Sequence, residues 1–149
     1  MGAEALNLSF TINEEDAMID HMGITVADFD RAKIFYDAAF SPLGISLLKM
    51  IPPEVSGGVK VGGYGRESAV YWLREGTPPA GYHQHIAVTA NNRSEVAAFH
   101  AAAIAAGGRD NGGPGLRPHY HPNYYAAFVF DPDGNNIEAV CHKAEGVHG

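Results

Sequence analysis

Cysteine, basic runs and long apolar runs are all scarce in this chain of 149 residues. The single cysteine, Cys141, excludes an internal disulfide and is typical of a protein from a reducing compartment. No apolar stretch approaches the roughly 20 residues that a membrane helix needs. Residues 1–16 lack the basic region and apolar run of a secretory signal. These absences predict a cytoplasmic protein with no membrane partner.

Positive charge is also in short supply. The chain has 10 Lys and Arg residues against 17 Asp and Glu, a formal net charge of −7 at pH 7. Since nucleic acids are bound by clustered basic side chains, this balance argues against a nucleic-acid partner. A hydrophobic content of 46% and a charged content of 18% are typical of one globular domain with a sizeable core.

What the sequence does contain is an internal repeat. The segment that begins at His21 can be laid over the segment that begins at His85, at an offset of 64 residues. Each copy opens with the period-2 alternation of a strand and continues with the apolar spacing of a helix. In the second helix, Asn92 and Glu95 are spaced as a capping box. The predicted apolar face of that helix contains Val96, Phe99, Ala103 and Ile104.

Shorter strands, separated by Gly and Pro, are predicted after each helix, so that each copy reads β-α-β-β-β. The predicted first helix is Phe29–Phe40; the later strands are Ile45–Met50, Val59–Tyr64 and Ser68–Arg74, then Arg109–Asn111, Tyr124–Phe130 and Asn136–Cys141.

The repeat divides one domain into two modules. We predict a single domain over residues 17–149, with module one at about 17–75, a linker rich in Pro and Gly at about 75–82, and module two at about 83–142. Residues 1–16 belong to neither copy and are predicted to be an N-terminal extension, with an arm exchanged with a second chain as the alternative. If the aliphatic alternates of each strand pack on their own helix, the two modules form a curved sheet with the helices outside. The predicted fold class is therefore α+β.

The same alternation places three potential metal ligands on the face opposite the helices. His21 and His85 open equivalent strands, and Glu138 alternates with apolar residues in the last strand. A buried carboxylate is costly unless it has a partner, and a divalent cation stabilises it together with neutral imidazoles. The alternatives are two structural histidines held by hydrogen bonds and a solvated Glu138, which are the common roles of such residues taken singly.

Three segments resemble the vicinal-oxygen-chelate superfamily, which includes glyoxalase I, extradiol dioxygenases, and fosfomycin- and bleomycin-resistance proteins. The resemblance covers about Met18 to His142. It implies two βαβββ modules that form a half-open eight-stranded barrel around one divalent metal ion, with His21, His85 and Glu138 as ligands. The segments are Ile19-Asp20-His21 with Phe35-Tyr36, His85-Ile86-Ala87-Val88, and the closing hairpin from Phe128 through Asp131-Pro132-Asp133-Gly134 to Glu138.

Two departures from the superfamily pattern leave the reaction open. Trp72 occupies the position of the fourth ligand of glyoxalase I, which is usually a Glu. Phe128 stands where extradiol dioxygenases have a tyrosine, although His121 has the spacing of their additional histidine. Three ligands leave positions open for water or a bidentate substrate, and two His with one carboxylate is a common iron(II) set. The sequence does not choose between iron, manganese, nickel, cobalt and zinc.

A segment rich in His, Tyr and Pro, residues 116–125, precedes the last hairpin. We interpret it as a rim over the site, in which His121 or else His119 acts as an acid/base. The alternative is a Pro-stiffened loop whose aromatic residues pack on the second helix. For Trp72, core filling is the alternative to substrate contact. The predicted substrate contacts are Trp72, Arg117, Tyr120, Tyr124 and Tyr125.

Two functional hypotheses from different classes follow. The first is an enzyme whose divalent metal acts as a Lewis acid on a small substrate chelated through two oxygens, as a glyoxalase-like lyase or isomerase or as a dioxygenase. The second is a resistance-type binding protein that sequesters a small compound without turnover. A purely structural metal is a third option, but structural sites are normally closed. The resemblance implies a homodimer, with the modules paired within one chain or exchanged between two.

Overall fold

The computed structural model describes residues 18–145, which form two modules that share the order of four strands and one long helix, β-α-β-β-β. The predicted extension at residues 1–16 lies outside the described residues. The first module contains β1 (Met22–Val26), α1 (Phe29–Phe40), β2 (Ser46–Met50), the short helix α2 (Pro53–Ser56), β3 (Val61–Gly65) and β4 (Tyr71–Glu75). The second contains β5 (His85–Thr89), α3 (Arg93–Ala105), β6 (Arg109–Leu116), β7 (Tyr125–Phe130) and β8 (Asn136–Cys141).

The two sheets have the same topology. Their strand orders are β1-β4-β3-β2 and β5-β8-β7-β6. In each sheet the first strand of the module runs parallel to the last, and the other pairs are antiparallel. The α+β fold of two βαβββ modules is therefore confirmed. In the described part of the chain the sheets remain two separate four-stranded units and do not close into one ladder.

Side-chain caps set where the two long helices begin. Asp28 Oδ1 accepts a hydrogen bond from the Arg31 amide at 3.1 Å at the start of α1. At the start of α3, Asn92 Oδ1 accepts from the Glu95 amide at 2.9 Å, and the Glu95 carboxylate accepts from the Asn91 amide at 2.6 Å. This reciprocal pair is a capping box, so the predicted helix starts agree with the structure.

One apolar core joins the two modules. Each helix covers one face of its own sheet, and α1 packs against α3. Along α3 the fully buried residues are Val96, Phe99 and Ala103, at helical spacings of three and four. The prediction for Ile104 is wrong: its side chain is 38% exposed, because one residue after Ala103 the helix has already turned away from the core. The sheet face opposite each helix is called the open face below.

A buried polar network also joins the modules. The Tyr36 hydroxyl on α1 donates to Asp131 Oδ2 in the β7–β8 turn at 2.6 Å, and the Tyr71 hydroxyl on β4 donates to the Tyr36 oxygen at 3.0 Å. Asn135 Nδ2 donates to the same Asp131 oxygen at 2.9 Å. The pKa of the Tyr36 phenol is raised well above its usual value, mainly because the group is buried. The orientation of the modules is thus fixed by hydrogen bonds as well as by apolar packing.

Strand β6 is longer than the sequence predicts. It continues past Asn111 to Leu116, with register shifts against β7 on both sides of Gly112, whose φ is 145°. Gly and Pro remove the alternation that would mark a strand, and Pro114 is tolerated because β6 is an edge strand. None of the helices in residues 18–145 is long and apolar enough to cross a membrane.

Candidate functional site

His85 and Glu138 lie next to each other on the open face of the second sheet. They stand on the neighbouring parallel strands β5 and β8, and His85 Nε2 is 2.9 Å from Glu138 Oε1. The Glu138 residue is 1% exposed, whereas the His85 side chain is 56% exposed. A buried carboxylate beside an accessible imidazole nitrogen is a donor pair that divalent transition-metal ions accept. The structure thus brings together two of the three predicted metal ligands.

The other carboxylate oxygen of Glu138 is held by Tyr124. The Tyr124 hydroxyl donates to Glu138 Oε2. Burial, followed by the hydrogen bond to Glu138 and its negative charge, raises the pKa of the Tyr124 phenol above its usual value. Phe128 lies opposite Glu138 in the ladder and its ring centroid is 6.3 Å from that of His85. Glu138 is therefore oriented from both sides within its own module.

His21 lies on the other module. It immediately precedes β1, its side chain is 64% exposed, and its Nδ1 is 2.6 Å from Asp20 Oδ1. In residues 18–145, no three His, Cys, Asp or Glu side chains come close enough to hold one metal ion. Within one chain, His85 and Glu138 therefore form a pair and His21 lies apart from them. Strand alternation by itself predicts all three on the same face of one curved sheet, and the structure differs from that prediction.

The open face of the first module forms a pocket of about 620 Å³, called the module-one pocket below. His21, Trp72 and Arg74 are among its lining residues. Trp72 and Arg74 share this face because they alternate in β4 with the buried residues Tyr71 and Leu73. The Trp72 side chain thus lines a pocket together with a predicted metal ligand and does not fill the core.

The segment rich in His and Tyr is a compact turn between β6 and β7. The Arg117 amide donates to the Tyr124 carbonyl at 2.7 Å, which closes the turn. Its rings contact one another in a series: His119 with Tyr120 at 4.2 Å between centroids, Tyr120 with Tyr124 at 5.2 Å, and Tyr124 with His142 at 5.1 Å. The ring series therefore includes Tyr124, whose hydroxyl donates to Glu138.

His121 and His142 extend this ring series. Their ring centroids are 5.8 Å apart, and His121 Nδ1 accepts a hydrogen bond from the Asn123 amide at 3.0 Å. Because Nδ1 is the acceptor, the neutral imidazole carries its proton on Nε2. His121 can therefore donate a proton from Nε2, as an acid/base residue must.

Arg117 and Tyr125 have partners of their own. The two Nη atoms of Arg117 donate to the carbonyls of Gly115 and Gly113, each at 2.9 Å, and the guanidinium lies over the Phe128 ring. The Tyr125 side chain lies on the helix-facing side of β7, and its ring lies under the Arg93 guanidinium. Arg117 thus has fewer donors left for a substrate, and Tyr125 lies away from the open face.

Sequence reasoning missed three relationships. It did not single out Arg74, although alternation with Trp72 in β4 was a sufficient signal for its face. It named Tyr36 and Asp131 only as parts of two separate segments and did not connect them. It also did not pair Tyr124 with Glu138, since that contact depends on how the β6–β7 turn folds back over the sheet.

Fold and site together define a class: a two-module βαβββ protein with a His–Glu pair on the open face of its second sheet. The family model of the glyoxalase/bleomycin resistance protein/dioxygenase superfamily matches residues 18–139. The chain belongs to this superfamily. A comparison with curated proteins finds no match.

Solved structures show the same fold. A glyoxalase/bleomycin resistance protein from Albidiferax ferrireducens T118 is 30% identical with a TM-score of 0.63, over 83% of this chain and 98% of that one. A glyoxalase I mutant from Zea mays is 22% identical with a TM-score of 0.60, over 82% of this chain and 46% of that one. A fosfomycin resistance protein from Listeria monocytogenes, in complex with Mn(II) and sulfate, is 15% identical with a TM-score of 0.62, over 87% and 95%.

Proposed function

We propose that this protein is a divalent-metal-dependent enzyme of the superfamily that acts on a small substrate bound through two adjacent oxygens. The observation that carries the proposal is the contact between His85 Nε2 and Glu138 Oε1 at 2.9 Å, on a carboxylate that is 1% exposed. When bound there, the metal would supply Lewis-acid polarisation of the substrate oxygens.

Glu138 and His85 would hold the metal from one chain. Within that chain His85 is the nearest potential counter-ion for Glu138, and an imidazole nitrogen with a carboxylate oxygen is a donor set that iron, manganese, nickel, cobalt or zinc accepts. Tyr124 keeps the second carboxylate oxygen in place. The donor chemistry of these residues fits a metal site that lacks one further protein ligand.

His21 of a second copy is the proposed third ligand, which makes the active form a homodimer. His21 and the His85–Glu138 pair lie on the open faces of different modules, and the modules share one topology. A second copy can therefore place its module one against module two of the first copy. Both modules expose large apolar side chains that a protein–protein interface could bury. These are Leu48, Met50 and Val55 in module one, and Leu116 and Tyr120 in module two.

The chain's own residues supply proton transfer and substrate contact. His121 is the proposed acid/base because its Nε2 carries the transferable proton, and His119 is the second choice. Trp72, Tyr120 and Tyr124 are the proposed substrate contacts. Arg117 and Tyr125, which are held by contacts of their own, are left outside the proposed site.

Metal content per chain, measured by plasma mass spectrometry on protein purified without chelators or a metal-affinity tag, tests the proposal. We expect close to one equivalent per chain in the wild type and a large loss in Glu138→Gln. The matched control is Glu67→Gln, since Glu67 is an exposed carboxylate in the β3–β4 turn. Equal metal content in both variants, or a wild type that takes up no metal on titration, would overturn the assignment.

The second candidate function is a resistance-type protein that sequesters a small compound without turnover. The observation in its favour is the size of the module-one pocket, about 620 Å³, which is enough for a small organic ligand. A wild type that takes up no metal but still binds aromatic compounds in this pocket would support sequestration.

A further inference from the structure

Trp72 forms a flat platform in the module-one pocket. In the ladders of the first sheet its two direct neighbours are Gly23 on β1 and Gly63 on β3. A Cβ at Gly63 would lie 2.9 Å from Trp72 Cδ2 and Cε2, so the indole ring lies over the Gly63 backbone. A ring that lies flat on a sheet without side chains beneath it presents its other face for stacking.

Arg74 stands beside this platform with its charge uncompensated. It is two residues after Trp72 on the same face, is exposed, and its guanidinium makes no hydrogen bond or ion pair with any residue of the described chain. Its direct ladder partners are Thr25 and Val61, neither of which carries charge. Arginine offers a planar fork of donors that matches a carboxylate.

The charge of this pocket differs from that of the whole protein. The chain has a formal net charge of −7, yet none of the described residues that line the pocket is an Asp or Glu. The titratable residues among them are His21 and Arg74. An anionic ligand therefore finds a cation in the pocket, and the Asp20 carboxylate that contacts His21 at 2.6 Å is not among the lining residues.

We propose that the module-one pocket binds a planar conjugated acid, with its ring or conjugated body stacked on Trp72 and its carboxylate on Arg74. This inference rests on the proposed function and deepens it, because His21 lines the same pocket. A substrate held in this way directs its far edge, where two adjacent oxygens would stand, toward the metal ligand. The substrate class is then an aromatic or enolic carboxylate with vicinal oxygens.

The intrinsic fluorescence of Trp72 is a direct reporter, since Trp72 is the sole tryptophan of the chain. Benzoate is the primary probe, with cyclohexanecarboxylate as the non-planar acid and benzamide as the neutral planar analogue; calorimetry supplies a second readout. We expect benzoate to quench the emission and to bind about three- to tenfold more tightly than cyclohexanecarboxylate, the range of an aromatic pair. Equal affinities for these two acids would overturn the stacking role of Trp72.

Arg74→Gln tests the carboxylate contact. We expect this variant to weaken benzoate binding by about tenfold, as loss of a charged hydrogen bond does, and to leave benzamide binding unchanged. Arg74→Lys should retain part of the benzoate affinity because it keeps the charge. The matched control is Arg109→Gln, which removes an exposed arginine of the second module that lies over Phe130. Unchanged benzoate affinity in Arg74→Gln would overturn the proposal.

Gly63→Ala tests the platform without replacing either Trp72 or Arg74. The new Cβ would meet Ala69 at 2.7 Å and the indole at 2.9 Å, so the ring must move. We expect a shifted Trp72 emission and weaker benzoate binding. Gly113→Ala is the control, since its Cβ would meet nothing within 4 Å. Unchanged emission and affinity in Gly63→Ala would contradict the platform.

Measurements of metal uptake, and of ligand binding with and without Mn²⁺, separate this inference from the proposed function. Benzoate has no vicinal oxygens, so its binding requires only Trp72 and Arg74, whereas 3,4-dihydroxybenzoate should gain affinity on addition of Mn²⁺. If the protein takes up no metal but benzoate binding still depends on Arg74, the proposed function fails and the pocket assignment holds. If metal binds normally and benzoate does not, the pocket assignment alone fails.

Discussion

The carboxylate of Glu138 is shared by two partners, His85 at Oε1 and Tyr124 at Oε2. His85 is the strand neighbour, at 2.9 Å, and Tyr124 reaches Glu138 from the turn before β7. Because one oxygen is fixed by a neutral phenol, the other is held facing the imidazole. The pair His85–Glu138 is thus preorganised within one chain, while His21 lies on the other module.

Mixing two inactive variants tests whether His21 comes from a second copy. His21→Ala and Glu138→Ala each remove one ligand from every site, so neither should bind metal alone. In a mixed dimer both mutations fall in the same composite site and the other site is intact. After the two variants are unfolded and refolded together, statistical mixing should restore about a quarter of the wild-type metal sites.

The separately refolded variants are the controls for that mixture, and metal is counted by plasma mass spectrometry after gel filtration. If the ligands of each site came from a single chain, no pairing of the variants could repair a site. A mixture with no more metal than its components would therefore refute the composite site.

Tyr124→Phe should weaken metal binding without removing a metal ligand. Loss of the phenol frees Glu138 Oε2, and loss of such an orienting partner commonly costs about 10- to 100-fold in metal affinity. The Kd for Mn²⁺, obtained by competition with a chelating dye, is the measurement. The control is Tyr125→Phe, which changes the adjacent tyrosine on the helix-facing side of β7, under Arg93. Equal Mn²⁺ affinities for the two variants would contradict the positioning role.

Tyr36→Phe should destabilise the fold because it removes hydrogen bonds of the buried polar network that joins the modules. The hydroxyl donates to Asp131, which is 4% exposed, and accepts from Tyr71. Its removal leaves buried polar atoms with fewer partners, and we expect a loss of about 1–3 kcal/mol in the free energy of unfolding. Guanidinium denaturation monitored by circular dichroism measures this quantity. Tyr82→Phe, at a residue that is 62% exposed, should change the free energy of unfolding little. An equal loss in both variants would contradict a stabilising role for the Tyr36 hydrogen bonds.

Alkaline pH should unfold the protein through the same tyrosines. Burial raises the pKa of both the Tyr36 and the Tyr71 phenols in the folded state, whereas in the unfolded chain they titrate near pH 10. The unfolded state therefore releases protons that the folded state retains. The stability that these groups contribute is complete below about pH 10 and is lost as the pH rises further.

The guanidinium midpoint at pH 8 and pH 10.5, together with phenolate absorbance at 295 nm, checks this expectation. The midpoint should fall at the higher pH, and part of the absorbance change should appear only on unfolding. Complete titration of all seven tyrosines near pH 10, in a protein that stays folded, would show that the phenols are not protected.

Local pattern was sufficient for most of the fold. The alternation around His21 and His85, the apolar spacing that follows each strand and the capping box at Asn92 correctly predict the first strands and the long helices of both modules. Alternation along β8 also correctly places Glu138 on the face opposite the helices. These features depend on the period of a strand or helix, which the order of residues states directly.

Strand β6 and Ile104 show where such reasoning stops. The Gly and Pro residues of β6 carry no alternation, so its extension to Leu116 depends on pairing with β7. Ile104 is apolar and follows the buried Ala103. The width of the buried face of α3, however, is decided by the elements that pack against the helix.

By itself the sequence determined the two modules, their strands and helices, and the face on which each potential ligand stands. Only the tertiary structure decided that His85 and Glu138 pair while His21 lies with Trp72 and Arg74 in another pocket. The physical reason is that the orientation of the modules is set by contacts distant in sequence, such as Tyr36 with Asp131. Periodicity fixes a side chain relative to its own strand, and only packing between modules fixes one strand relative to another.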